Sequence, residues 1–242
     1  MRVSTVAVAI MCKTPMSGLS KTRLSPPLRP DECAAISACF IRDLSVTIAS
    51  LAAEGDVTGY AVYTPLGSEM ALRALLPESF HLVPQRDGGF GVRLIAGIAD
   101  LLAEGHDGAI LVNSDSPTLP NAILRAAVDA VRSGDNVTLS PAIDGGYTLI
   151  GLSRLHVRLF EDIPWSTAEV YRLTLDRAAE IALPVINVPA WYDVDDALSF
   201  QMLEAELAGD RPPFAPADLV GADASATQQF LRRRRVAPAV SA

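Results

Sequence analysis

Residues Val3 to Met11, VSTVAVAIM, form an almost unbroken apolar run rich in β-branched side chains, and they constrain the fold more than any other stretch. A strand with one solvated face alternates polar and apolar residues, whereas a continuous apolar run marks a strand buried on both faces of a parallel sheet. Parallel neighbours cannot be joined by a tight hairpin, so crossover segments must follow. The remaining pattern supplies them. A loop runs to Pro30 and a long helix spans 31–54, ended by Gly55. A strand is expected at 57–63, helical residues at 67–76, a short strand at 80–84 and a helix at 91–104. Beyond it come a strand at 109–112, a helix from Pro120 to about Arg132, strands at 136–140 and 147–152, a helix at 166–180, and a last strand at 184–188. The Ser166-Thr167 pair with Glu169 reads as a capping box for the penultimate helix. Asp196 reads as the cap of a helix that ends near Leu207. Such alternation predicts an α/β protein, with helices against a mainly parallel central sheet.

The 242 residues suit one such domain over 1–208, followed by a Pro/Ala-rich extension over 209–242 that carries the basic patch Arg232 to Arg235. Its composition predicts a loosely packed, solvated segment, with a lipid or oligomer contact as the alternative. A net charge of −8 argues against a general nucleic-acid binder, which needs a basic face. No apolar run approaches the ~18 to 20 residues of a transmembrane segment. The N-terminal run is too short and lacks the cleavage pattern for a signal peptide. Cys12, Cys33 and Cys39 form no Cys-x-x-Cys pair, which speaks against a disulfide framework or zinc site and for a reducing cytoplasm.

Ligands of open α/β sheets collect where the strands end. Directly after the first strand, CKTPMSGLSKTRL places Lys13, Lys21 and Arg23 around a Gly-containing loop, a donor set suited to a di- or triphosphate. Asp115, in the Ser-Asp-Ser-Pro turn after a buried strand, is the best metal-ligand candidate, its alternative being a turn cap. Asp193 and Asp195 flank Val194 and project to one side of an extended segment, so either could complete the metal site. Asp144-Gly145-Gly146-Tyr147 reads as a hairpin turn on the ligand rim, where Asp144 could orient an acceptor or act as general base. Gln85 to Gly91 is a second Gly-rich loop entering a helix, whose amides suit phosphate or sugar oxygens; Gln85 and Gly88 are its candidate ligands. Trp165 either stacks on substrate or anchors a helix. His81, His106 and His156 are scattered, which argues against a hydrolase triad.

Taken in order, Pro15, Gly18 and Lys-Thr-Arg-Leu at 21–24, Ser-Asp-Ser-Pro at 114–117, Pro-Ala-x-Asp-Gly-Gly-Tyr at 141–147 with Leu149-Ile150-Gly151-Leu152, Trp-Ser-Thr at 165–167 and Trp-Tyr-Asp-Val-Asp at 191–195 resemble a bacterial family of A-type glycosyltransferases. Its members are also described as nucleotide-diphospho-sugar transferases, related to small nucleotidyltransferases. The resemblance covers about residues 3 to 207. It implies a Rossmann-like three-layer αβα sandwich of the GT-A type, a Mg2+ or Mn2+ ion bridged by aspartates, and a nucleotide-activated donor. The chain departs from the family pattern with Gly89 where an aspartate is usual, Asn113 where glycine is usual, Thr118 where aspartate is usual, and Lys13 where arginine is usual.

Three functions follow. In glycosyl transfer, Lys21, Asp115 and Asp144 serve catalysis, Lys13, Lys21, Arg23, Gln85 and Gly88 hold a nucleoside diphosphate sugar, and Asp144, Gly145, Gly146, Tyr147 and Trp165 meet a small-molecule acceptor. In nucleotidyl transfer, the same groups hold a nucleoside triphosphate and pyrophosphate leaves. The third is a catalytically degenerate nucleotide-binding protein, motivated by Gly89 and Thr118. Pairing into a homodimer is compatible with all three.

Overall fold

The computed structural model describes residues 5–236; residues 1–4, with the start of the expected first strand, and 237–242, with the end of the expected tail, lie outside the described residues. In chain order the elements are β1 (Val6–Lys13), α1 (Pro30–Ala52), β2 (Val57–Thr64), α2 (Glu69–Arg73), β3 (His81–Pro84), α3 (Phe90–Ala103), β4 (Gly108–Asn113), α4 (Asn121–Arg132), β5 (Val137–Pro141), β6 (Tyr147–Leu152), α5 (Val170–Glu180), β7 (Val185–Asn187), α6 (Ala197–Glu206) and α7 (Ser225–Val236). The strands make one seven-stranded sheet of order β3-β2-β1-β4-β6-β5-β7.

The apolar run behaves as its composition requires. In β1, Val6, Val8, Ile10 and Cys12 enter the core shared with α1, α4 and α6, while Ala7, Ala9 and Met11 face α3 on the other side. Helices therefore cover both faces, and the three-layer αβα sandwich is the observed fold. All strand pairs are parallel except those of β6, which runs antiparallel to both β4 and β5. The short Asp144-Gly145-Gly146 turn between β5 and β6 imposes that reversal, because so few residues can join only antiparallel neighbours.

α1 begins at Pro30, where a missing amide hydrogen costs nothing, and the Arg29 amide donates to Glu32 at 2.8 Å. Against the expectation that no stretch is apolar enough over that length, it is long and apolar enough by length and composition to cross a bilayer. Here its apolar face is spent on the sheet, with Ile36, Phe40, Leu44 and Ile48 fully buried.

Two local expectations give way. α5 starts at Val170 rather than Ser166, because Ser166 adopts a left-handed backbone (φ 66°) and Glu169 makes no side-chain cap bond. Part of the extension is also packed. α7 lies against α1, where the Asp43 carboxylate accepts from the amides of Ala226 (2.7 Å) and Thr227 (2.8 Å) and from the Thr227 hydroxyl (2.6 Å). Thr227 and Leu231 are buried beneath it. A helix in a Pro/Ala-rich tail escapes a composition argument because its N-terminal cap comes from residue 43, far away in sequence. Asp43→Ala is expected to cost about 2 kcal/mol in urea unfolding, since it strands two helix-terminal amides. Hydrogen exchange should then accelerate in 225–236 before the sheet.

Candidate functional site

The parallel register pairs Met11 with Asn113, so the chain leaves β1 and β4 at the same edge of the sheet. From β1 it enters the loop 14–21, then a single 3-10 turn at Thr22–Leu24 whose Leu24 is fully buried and pins the loop to the core. Lys21, just before that turn, is left-handed (φ 49°). Its side chain is 8% exposed, and its ammonium lies 2.8 Å from Asp115 Oδ2 and 2.7 Å from Asp195 Oδ1. Arg23 donates to the other Asp195 oxygen at 2.6 Å. Asp115 is oriented in turn by its neighbours: Ser114 Oγ donates to its Oδ1 at 3.1 Å, and its amide donates to the Asn113 side chain at 3.3 Å.

Asp193 and Asp195 arrive from the far end of the chain. After β7 the backbone crosses the ends of β5 and β4, held where Ser140 Oγ donates to the Pro189 carbonyl (2.7 Å), Trp191 N to Pro141 (3.1 Å) and Val194 N to Asp115 (2.9 Å). Trp191 and Val194 are fully buried anchors, which turns both aspartates toward the cleft.

Two chambers meet at this junction. The smaller, about 270 Å³, is lined by Lys13, Ser20, Lys21, Thr22, Arg23 and Ser37. The larger, about 420 Å³, is bounded by Asp144, Tyr147, Asp193, an aromatic corner of Phe90 and Trp165, and an apolar floor that includes Leu94 and Ile150. Arg23, Ser114, Asp115 and Asp195 border both. Phe90 and Trp165 meet edge to face at 5.3 Å. They come so close to the start of α3 that a Cβ on Gly91 would sit 2.8 Å from the indole nitrogen.

The turn Asp144-Gly145-Gly146 is fitted to the segment opposite it. Gly145 has φ 93°, and a Cβ there would fall 2.2 Å from the Ala168 carbonyl oxygen. The Tyr171 amide donates to the Gly145 carbonyl at 2.9 Å, and the Gly146 amide to Asp144 Oδ1 at 2.9 Å, which fixes the carboxylate at the chamber wall. Burial pushes the Tyr147 phenol up, beside Thr174.

Gln85 and Gly88 stand apart from both chambers. The Gln85 side-chain Nε2 donates to the carbonyls of Cys12 (3.1 Å) and Val62 (3.0 Å), where it ties the ends of β1 and β2. Gly88 serves its own turn, with φ 133° and its carbonyl accepting from Arg93 at 2.9 Å. Thr118 also has a local explanation: it is buried, accepting from Trp191 Nε1 at 3.2 Å beside a Tyr192–Glu206 hydrogen bond. Phe90 was missed by sequence reasoning, although an aromatic directly after two glycines at a helix start was a usable signal. Ser114 belongs to the Ser-Asp-Ser-Pro motif, but its orienting bond to Asp115 has no spacing signature.

The electrostatics are those of a crowded carboxylate site. Burial alone would lower the Lys21 ammonium, but Asp115 and Asp195 outweigh it and hold it above the ordinary lysine range. Asp193 is pushed up to about 7, first by burial and then by the negative charges of Asp144, Asp195 and Asp115. An all-oxygen donor set with surplus negative charge suits a hard divalent cation chemically. Among the described residues no three metal-ligating side chains are gathered for one, and the Lys21 ammonium bridges Asp115 and Asp195.

The folded state retains the Asp193 proton to a higher pH than the unfolded chain, so this group's contribution is fully present below pH 4 and declines as pH rises toward 7. Asp193→Asn should therefore match the wild type near pH 4 and exceed its stability above pH 7, by up to about 4 kcal/mol. Urea titrations at the two pH values read the difference, and a pH-independent difference would contradict the assignment.

Comparison with known proteins accords with this geometry. The chain is similar to a solved candidate nucleotide-diphospho-sugar transferase from Desulfovibrio desulfuricans G20, with TM-score 0.80, 24% identity and 96% of each chain covered. It is also similar in fold to CMP:2-keto-3-deoxy-manno-octonic acid synthetase complexed with CTP, with TM-score 0.55 and 13% identity over 85% of this chain and 99% of that one. A third likeness is to 4-diphosphocytidyl-2C-methyl-D-erythritol synthase from Anaerococcus prevotii DSM 20548, with TM-score 0.54 and 10% identity over 85% of this chain and 96% of that one. No curated protein sequence matches. The model of a family described as an uncharacterized protein conserved in bacteria, DUF2064, matches residues 47–167, half of the chain, which includes Asp115, the Asp144 turn and Trp165. The chain thus belongs to this bacterial family and has the fold of the nucleotide-diphospho-sugar transferases.

Proposed function

We propose that this protein transfers a glycosyl group from a nucleoside diphosphate sugar to a small acceptor. One observation carries the reading: a cation-lined chamber opens into an aromatic-walled chamber across the Lys21–Asp115–Asp195–Arg23 junction. In this reading Lys13, Lys21 and Arg23 bind the donor diphosphate, and its sugar extends past Asp115 toward Phe90 and Trp165. The acceptor hydroxyl attacks the anomeric carbon while Asp144 takes its proton. The bond from that carbon to the diphosphate oxygen breaks, and the electron pair leaves with the nucleoside diphosphate. Preplaced cations counter the charge that develops on the leaving oxygens. Of the three aspartates, Asp115 and Asp195, which Lys21 joins, would hold a magnesium or manganese ion, which when bound supplies further neutralisation there. In this reading residues 1–208 carry the transferase site, the extension packs against them through Leu219 and Leu231, and Cys12, Cys33 and Cys39 accord with a cytoplasmic setting.

Nucleotidyl transfer is the second reading, favoured by the three cations of the smaller chamber, which equally suit a triphosphate. Fold likeness to cytidylyltransferases is compatible with it, because one fold hosts both reactions.

Calorimetric titration with nucleoside diphosphate sugars and triphosphates, with and without magnesium, tests the site. Lys21→Ala and Arg23→Ala should each weaken donor binding about tenfold or more, in line with the loss of a charge-assisted hydrogen bond. Asp115→Asn should remove the metal dependence of binding. Unchanged affinity in all three variants would contradict the phosphate assignment. Asp144→Asn should lower kcat by about 10² or more with little change in donor KM; an equal loss in both would make Asp144 a binding residue instead.

A further inference from the structure

Four oxygens of the two bridging aspartates are already engaged by this chain's own donors. Asp115 Oδ1 accepts from Ser114 Oγ at 3.1 Å and Oδ2 from Lys21 at 2.8 Å, while Asp195 Oδ1 accepts from Lys21 at 2.7 Å and Oδ2 from Arg23 at 2.6 Å. The Lys21 ammonium is nearly buried, faces the Phe40 ring at 6.0 Å, and is carried by a backbone in the left-handed region. Left-handed geometry is uncommon for a side chain with a Cβ and persists where the surroundings over-determine it.

We infer that Lys21 is an internal cation that keeps the Asp115–Asp195 bridge closed to a free divalent ion until a diphosphate draws its ammonium away. The inference rests on the reading of these two aspartates as metal ligands. An ammonium within 3 Å of both carboxylates neutralises the charge a dication would seek and repels it. Lys21, Thr22 and Arg23 also line the smaller chamber, so an anion arriving there competes with Asp115 and Asp195 for the same two cations. Once those cations turn to phosphate oxygens, the carboxylates are left unpaired and bind the metal. Metal and diphosphate consequently load together, and by linkage each strengthens the other by the same factor.

The test uses the full chain and Mn2+, with binding counted by the resonance of the free ion and Tm followed in parallel. Lys21→Met should lower Tm without metal, bind Mn2+ at least about tenfold tighter than wild type, and recover Tm when Mn2+ is added. Wild-type Tm should be insensitive to Mn2+ alone and rise when pyrophosphate is added with it. Lys21→Gln, which leaves a neutral donor for the carboxylates, should give the same ordering if methionine destabilises the fold too far. Equally tight Mn2+ binding by wild type and both variants would overturn the inference and leave the metal reading intact. Folded variants indifferent to Mn2+ would overturn the metal reading of Asp115 and Asp195, and this inference with it.

Discussion

The contact of one lysine with two aspartates organises the cleft. Lys21, Asp115 and Asp195 lie on three segments far apart in the chain, and their ion pairs close the loop after β1, the turn after β4 and the returning segment 189–195 onto one another. That closure is possible because β1 and β4 are adjacent and parallel, so whatever follows each emerges side by side. Burying the Lys21 ammonium against two half-buried carboxylates is costly, and replacement of such sets by apolar residues is often neutral or stabilising. Their presence where two chambers meet at the strand ends is what the proposed function rests on.

From that junction the site divides its labour by polarity. The smaller chamber presents the cations Lys13, Lys21 and Arg23 and the hydroxyls of Ser20, Thr22 and Ser37 beside the carboxylates of Asp115 and Asp195, and in the proposed reading these cations would meet phosphate oxygens. The larger chamber sets carboxylates at one wall and Phe90, Trp165 and aliphatic side chains at another, walls that in the proposed reading would meet the hydroxyls and the apolar face of a sugar ring. Gly145 and Gly91 keep these walls in place by permitting approaches that any side chain would block. The rigidity of the turn and of the aromatic corner suits a reaction governed by alignment.

The sheet, its helices and their order were legible because strands buried on both faces and amphipathic helices write their periods directly into sequence. Within the run Tyr147 to Leu152 itself direction leaves no trace, and the reversal of β6 was legible only through the hairpin reading of the Asp144-Gly145-Gly146 turn before it. Lys21, Arg23, Asp115, Asp144, Asp193 and Asp195, expected beyond the strand ends, line the two adjoining chambers. Gln85 and Gly88 were singled out on a loop signature that backbone geometry explains instead, and a side chain spent on the carbonyls of Cys12 and Val62 looks the same in sequence as a free one. The bridging role of Lys21 and the docking of α7 on Asp43 are long-range facts, invisible to any local window.

Phosphorus-31 resonance of the full chain with a panel of nucleoside diphosphate sugars, with water standing in for the acceptor, tests glycosyl transfer most directly. Slow appearance of a free nucleoside diphosphate from one donor is the expected result. The account is contradicted if no donor yields a nucleoside diphosphate while a nucleoside triphosphate with a phosphorylated small molecule yields pyrophosphate.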